Sequence, residues 1–293
     1  MRNTLFELIE NDLRANTDSF LLTADTGYGL LEPLFKEFPD RVLNVGIAEQ
    51  FMISMAAGLA LEGGTVYCYA ISNFLIHRAL EMIRNDLCVS NIKVVLIGTS
   101  TGLENSILGP THHVTDDIHI LSSLHNLNIF SPYDPPSCRY AFQLAKNSAN
   151  ASYIRLCKVQ KPLSSGRSAW EILHEAPQAT CKRTILSSSI GPNFLLDSLE
   201  LSENTILGLC QFSDIPCDLL DYVASLDALY VWEDSTSRQL YNLLASVLSL
   251  HSINTRLLSI SPNSEYIHQP FQLKSYLQSF TVDGLHALHT LTE

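Results

Sequence analysis

Glu49 stands in the run Asn44-Val45-Gly46-Ile47-Ala48-Glu49-Gln50, a carboxylate inside an otherwise apolar stretch where a strand pattern hands over to a helix pattern. An ionised carboxylate is expensive to bury, so Glu49 needs an ion-pair partner, a proton held at a raised pKa, or a ligand group that shares its proton. The plain alternative is an acid in the first turn of a helix, satisfied by the dipole and the backbone amides. A second group of interest closes the loop Gly102 to His113, where His112 and His113 follow Gly109-Pro110-Thr111. Adjacent histidines on such a loop suit proton transfer or the holding of a carbonyl oxygen. A solvated surface pair is the alternative. In Phe74 to Asp86, FLIHRALEMIRND, the residues Arg78, Glu81 and Arg84 recur at a spacing that makes them neighbours on a helix. Their plain reading is a mutual ion-pair network of little energetic weight. Asp25, in Thr23-Ala24-Asp25-Thr26-Gly27, reads either as a site acid or as an Asx-type turn at a strand end.

The elements that must hold these residues alternate. Strand patterns cover Phe20 to Ala24, Val42 to Val45, Thr65 to Ile71, Ile92 to Ile97, Leu127 to Phe130 and Tyr153 to Leu156. Helical patterns lie between them, from about Ile47 to Leu61, Asn73 to Val89, Asp116 to Leu124 and Pro135 to Asn147, with Gly63-Gly64 as a stop signal. Strands separated by helices predict an α/β protein with a doubly wound sheet and ligands beyond the carboxyl ends of the strands. Residues 161–180 lapse into Pro, Ser and Gly and read as a linker between a first domain, 1–160, and a second α/β domain, 181–293. The second domain's strands are expected at Lys182 to Ser187, Thr205 to Cys210, Ala228 to Glu233 and Thr255 to Ile260. It offers no cluster that reads as catalytic, and packing or dimerisation is its expected role.

At 293 residues, nearly half of them hydrophobic, the chain can fill about two cores. A formal charge of −12 argues against nucleic acid or an anionic membrane surface as partner, since there is no basic stripe to meet phosphates. The N-terminal residues lack the pattern of a signal peptide, and no stretch approaches the ~18 apolar residues of a membrane span. Seven cysteines, scattered and without a CxxC pair, suit reduced core thiols and a cytoplasmic location better than a disulfide framework.

One cofactor presents the kind of group that Glu49 lacks. The aminopyrimidine of thiamine diphosphate has a ring nitrogen that a carboxylic acid can hydrogen-bond, which drives the ring towards the imino form that activates the thiazolium carbon. Arg41 to Gly58, RVLNVGIAEQFMISMAAG, resembles the signature of the pyrimidine-binding domain of transketolases and their relatives, where the Glu at this position contacts that ring. The resemblance implies that Phe74 lines the pyrimidine, that Asp25 and Arg78 stand near the cofactor, and that His112, with His113 beside it, reaches the substrate. It places Ser100, Arg155 and Lys158 at positions that meet substrate, the last two beside a phosphate.

The chain also departs from that pattern. Split transketolases carry a His at the position of Ser100 and Gly-Glu-Asp at Ser106-Ile107-Leu108, groups that in the family bind sugar hydroxyls or support the reaction. Ile107 and Leu108 suggest a less polar substrate end. Lys158 replaces an Arg and offers a point charge instead of a bidentate fork. The Gly-Asp-Gly motif that holds the diphosphate and Mg²⁺ in this superfamily does not occur in the sequence. The resemblance therefore implies a separate N-terminal transketolase subunit carrying Gly-Asp-Gly, in an α2β2 assembly with the active site at the interface. The expected activity is transfer of a two-carbon ketol or related acyl unit between carbonyl compounds. The β subunit of a 2-oxoacid dehydrogenase, a deoxyxylulose-phosphate synthase-like enzyme and a non-catalytic scaffold are the alternatives.

Overall fold

In the computed structural model, which describes residues 1–290, strands and helices alternate as the hydrophobic pattern predicts. In chain order the first half comprises α1 (Arg2–Ala15), β1 (Ser19–Thr23), α2 (Glu32–Glu37), β2 (Val42–Asn44), α3 (Glu49–Leu61), β3 (Thr65–Ile71), α4 (Ser72–Met82), β4 (Val95–Thr99), α5 (Asp117–Ser122), β5 (Leu127–Phe130), α6 (Pro135–Asn147) and β6 (Ala151–Leu156). Its strands form one parallel sheet in the order β2-β1-β3-β4-β6-β5. The central strands are apolar on both faces because helices cover both. Tyr67 and Tyr69 of β3 pack on one side with Leu5, Ile9 and Phe142 of α1 and α6. Val66, Cys68 and Ala70 pack on the other with Met52, Ile53, Leu75 and Ile76 of α3 and α4. The chain reverses direction across the sheet after β2, so the switch point falls between β1 and β3, where doubly wound sheets place their ligands.

The predicted helix from Asn73 to Val89 is not continuous. Ala79 leaves helical geometry (φ −108°, ψ 15°), and Ile83–Val89 continues as a π-helical turn. The widened turn keeps Ile83, Leu87 and Cys88 buried together.

The second half contains β7 (Trp170–His174), β8 (Arg183–Ser187), α7 (Gly191–Ser198), β9 (Asn204–Leu209), α8 (Cys217–Ala224), β10 (Ala228–Trp232), α9 (Gln239–Leu250), β11 (Arg256–Ile260) and α10 (Leu273–Thr290). Its sheet order is β11-β10-β8-β9-β7, parallel except for β7, which runs antiparallel to β9. The stretch 161–180, read as a linker, thus contains an edge strand. Its half-exposed side chains and a bulge between Ile172 and His174 erase the alternation that would reveal it. The two halves touch directly, with Ser131 N–H donating to Cys210 O and Phe212 N–H to Ile129 O (2.7 and 2.9 Å). Among the described residues no helix is long and apolar enough to cross a membrane. The last three residues of the expected second domain lie outside the described residues.

Candidate active site

The candidate site is assembled at the carboxyl ends of β1 to β4. Beyond β2 the backbone turns through Gly46 (φ +75°), where a side chain would be strained, and enters α3 at Ala48. Glu49 falls in the first turn of α3 and is 4% exposed. The helix dipole favours an acid there. Its hydrogen bonds among the described residues come from Arg78 of α4, whose Nη1 lies 3.1 Å from each carboxylate oxygen. Arg78 is nearly half exposed and also stacks on Phe74 one turn earlier, with its guanidinium carbon 4.1 Å from the ring centroid. A planar cation over an aromatic face is a favourable contact. The edge of the same assembly is His112, whose ring meets Phe74 at 5.2 Å between centroids and an interplanar angle of 74°. Glu49, Arg78, Phe74 and His112 therefore form one continuous contact chain.

The predicted network of Arg78, Glu81 and Arg84 does not form. Arg78 reaches across to Glu49, and Arg84 donates to its neighbour Asn85 (2.7 Å). Burial of the Glu49 carboxylate draws the nearest cation to it, and the kink after Arg78 breaks the helical register that the spacing argument assumes.

Two residues that the sequence did not single out tie α4 to the histidine loop. Asn73 Nδ2 donates to Thr111 O (2.6 Å), and His77 bridges Asn73 O through Nδ1 (2.9 Å) and Asp116 Oδ2 through Nε2 (3.1 Å). The hydrogen bond to Asp116 holds the His77 imidazole above its ordinary 6.5, so the ring is more readily cationic. The signal was its place three residues after Phe74 and beside Arg78, on the face that meets the loop. Ile47, Ala48, Glu49, Gln50, Phe51, His77 and Arg78 line an open concavity of about 820 Å³. Ile47 and Phe51, on its wall, are 72% and 59% exposed.

The two adjacent histidines point to different surroundings. His112 faces Phe74, whereas His113 is buried against Phe271 of the second half (centroids 5.7 Å apart), and burial lowers its pKa so that it is held neutral. His113 is not part of the Glu49 concavity. Asp25 adopts a left-handed backbone (φ +48°) and pairs with Asn44, which accepts from Asp25 N–H (3.0 Å) and from Gly46 N–H (2.9 Å). It thus braces the turn leading to Glu49 and opens into a separate recess with Tyr28 and Glu32. Ser100 is buried just past β4 in a left-handed conformation (φ +60°) and does not line the concavity.

Arg155 does not line the concavity. It is 3% exposed, with Nε donating to Asp117 Oδ2 (3.0 Å) and Nη2 to Val114 O (3.2 Å). Lys158 is exposed but borders another recess with Arg2, Thr4 and Gln160. These two basic residues are therefore not gathered around Glu49.

The family description for the pyrimidine-binding domain of transketolase matches residues 1–162. The chain belongs to this family of thiamine-diphosphate enzymes. Within the family, one subunit of the apulose-4-phosphate transketolase from Actinobacillus succinogenes is 38% identical over 157 residues, 53% of this chain and 50% of that protein. The chain spans about half the length of that relative. The 1-deoxy-D-xylulose-5-phosphate synthase of Desulfotalea psychrophila is 37% identical over 152 residues, 52% of this chain and 23% of that protein. A solved split-gene transketolase, an inactive β4 tetramer, superposes with a TM-score of 0.80 at 22% identity and covers 97% of both chains. At that identity the likeness carries the fold, including the second sheet.

Proposed function

We propose that this chain is the pyrimidine-binding subunit of a thiamine-diphosphate-dependent ketol transferase, and that a separate polypeptide with the Gly-Asp-Gly motif holds the diphosphate and Mg²⁺. The observation that carries this reading is the environment of Glu49, a buried carboxylate at the rim of an open concavity whose partner is one half-exposed guanidinium. The residues present fit a pyrimidine. Arg78 is planar, donates to Glu49 and lies on the Phe74 ring, which are the two contacts an aminopyrimidine would make. Swinging the half-exposed Arg78 into solvent would free the acid and the aromatic face together, with the ring's hydrogen bond replacing the one that the buried Glu49 loses.

When bound, thiamine diphosphate would supply the nucleophilic carbon on which a two-carbon unit can be carried between carbonyl compounds. Glu49 would hydrogen-bond the ring nitrogen, Phe74 would orient the ring, and His112 would exchange protons with substrate oxygens at the rim. Asp25 keeps the turn before Glu49 in place through Asn44. Asp116 holds the His77 imidazole at the mouth and raises its pKa, which favours contact with an anionic or oxygen-rich group. The exposed Ile47 and Phe51 beside the concavity suit burial by the partner subunit, which would close the site against water. An α2β2 stoichiometry is part of the proposal.

The test is calorimetric titration of thiamine diphosphate with Mg²⁺ into the chain, into the partner and into their mixture. The reading predicts saturable binding in the mixture that neither chain reproduces alone. Absence of any cofactor binding by the mixture would leave only a scaffold role.

A further inference from the structure

The loop that presents His112 is a closed lariat. Gly102 and Val114 form an isolated antiparallel bridge at its base, with Val114 N–H donating to Gly102 O (2.8 Å). Both strands of that stem are held by one short segment of the other half of the chain. Asp234 Oδ2 accepts from Leu103 N–H (3.2 Å) on the ascending side. On the descending side Ser235 Oγ donates to Thr115 O (2.6 Å), and Gln239 Oε1 accepts from Ile118 N–H and His119 N–H (2.5 and 3.1 Å) while its Nε2 donates to Asp117 (3.1 Å). Asp234, Ser235 and Gln239 are 3%, 2% and 1% exposed, so water does not compete for these bonds. The fit is close on the loop side as well. Gly102 sits at φ +57°, and a Cβ there would collide with Asp234 Oδ2.

We infer that Asp234 and Gln239 of the second domain are positioning residues that clamp the stem of the 102–114 loop and so fix His112 against Phe74. This rests on the proposed role of the Glu49 side as a cofactor site. A second domain without a catalytic cluster thereby acts on the chemistry of the first. The geometry has the form such a device needs. Polar side chains from one short segment grip backbone groups on both sides of a loop that its own domain also holds through Arg155 on Val114 O, Lys158 N–H on Glu104, Asn73 on Thr111 and His77 on Asp116. Misplacing a reacting group by about 1 Å through a distant change is enough to slow a reaction ~100-fold.

The test uses the whole chain without partner or cofactor, so its outcome is separable from that of the cofactor titration. Two signals are read, the ring-current shift that Phe74 imposes on the His112 Cε1 proton and the amide hydrogen exchange of Val114 and Ile118. In Gln239→Ala and Asp234→Ala the His112 resonance should move to the position of an exposed histidine, and loop exchange should quicken by about tenfold or more while β4 amides stay protected. Asp234→Asn keeps the acceptor for Leu103 N–H and should restore both signals. Ser235→Ala, which removes one bond to the loop (Thr115 O) and the acceptor for Ser237 N–H, provides a folded variant with an intermediate shift should the others unfold. An unmoved His112 resonance with unchanged loop exchange in Gln239→Ala and Asp234→Ala would overturn the clamp. So would wild-type kcat and KM in the reconstituted Gln239→Ala enzyme.

Discussion

Two arginine–carboxylate pairs in this chain, Glu49–Arg78 and Asp117–Arg155, share their chemistry and differ in everything around it. Asp117 is fully buried and takes bonds from Arg155, Tyr153 (2.8 Å) and Gln239 (3.1 Å), so its oxygens are satisfied from several elements at once. Glu49 is also buried, but its guanidinium partner stands 46% in solvent at the rim of a concavity. Burial of an acid does not by itself mark a site. A carboxylate whose partner can leave is available to a ligand, and one enclosed by three donors is part of the scaffold.

The sharpest contrast is thermodynamic. Asp117→Ala should strand the Arg155 charge and lower unfolding stability by about 3–5 kcal/mol, read from urea denaturation. A loss below about 1 kcal/mol would erase the distinction between the pairs. Glu49→Gln should reverse the pattern, leaving the urea midpoint nearly unchanged while cofactor-dependent turnover of the reconstituted enzyme falls by about 10²–10³-fold. A third outcome concerns the buried seam behind Asp117. Burial pushes the Glu233 carboxyl from the ordinary 4.5 up to about 7, although it accepts from Leu240 and Tyr241 N–H. The folded chain therefore keeps that proton where the unfolded chain has lost it, and stability should fall as pH rises from about 4.5 to about 7. Unfolding free energies from urea denaturation at pH 5 and pH 8 should differ by about 1–3 kcal/mol for this group, and Glu233→Gln should reduce the difference to the part left by Glu104, whose carboxyl is also raised by burial from 4.5 to about 7. The smallest effect is the coupling of Glu49 to Arg78. A double-mutant cycle with Glu49→Gln and Arg78→Met should give about 1 kcal/mol, since the guanidinium stands nearly half in solvent.

Much of the fold was legible because it rests on local pattern. The β-branched run Ile92 to Ile97 fits a central parallel strand covered on both faces, and the β-branched and aromatic alternation of Thr65–Ile71 marks a strand. Glu49 was legible for the complementary reason, as a charge where the pattern demands an apolar residue. What was hidden depends on contacts distant in sequence. Arg155 looked like a free cation because its partner Asp117 lies 38 residues away, and Gln239, which also holds Asp117, comes from helix α9 of the second half. His113 looked equivalent to His112 until the chain folded Phe271 over it. His77 was passed over beside the louder charges of its helix, and β7 because an edge strand half open to solvent needs no alternation.

The central claim is that Glu49 serves the cofactor ring. Its most direct test needs no substrate: the rate at which the thiazolium C2 proton of thiamine diphosphate exchanges with deuterium, measured by quenched-flow NMR in the complex of this chain with its Gly-Asp-Gly partner. Exchange should be fast in the wild-type complex and fall by about 10²-fold or more in Glu49→Gln at saturating cofactor. Equal exchange rates in the two complexes would contradict the account.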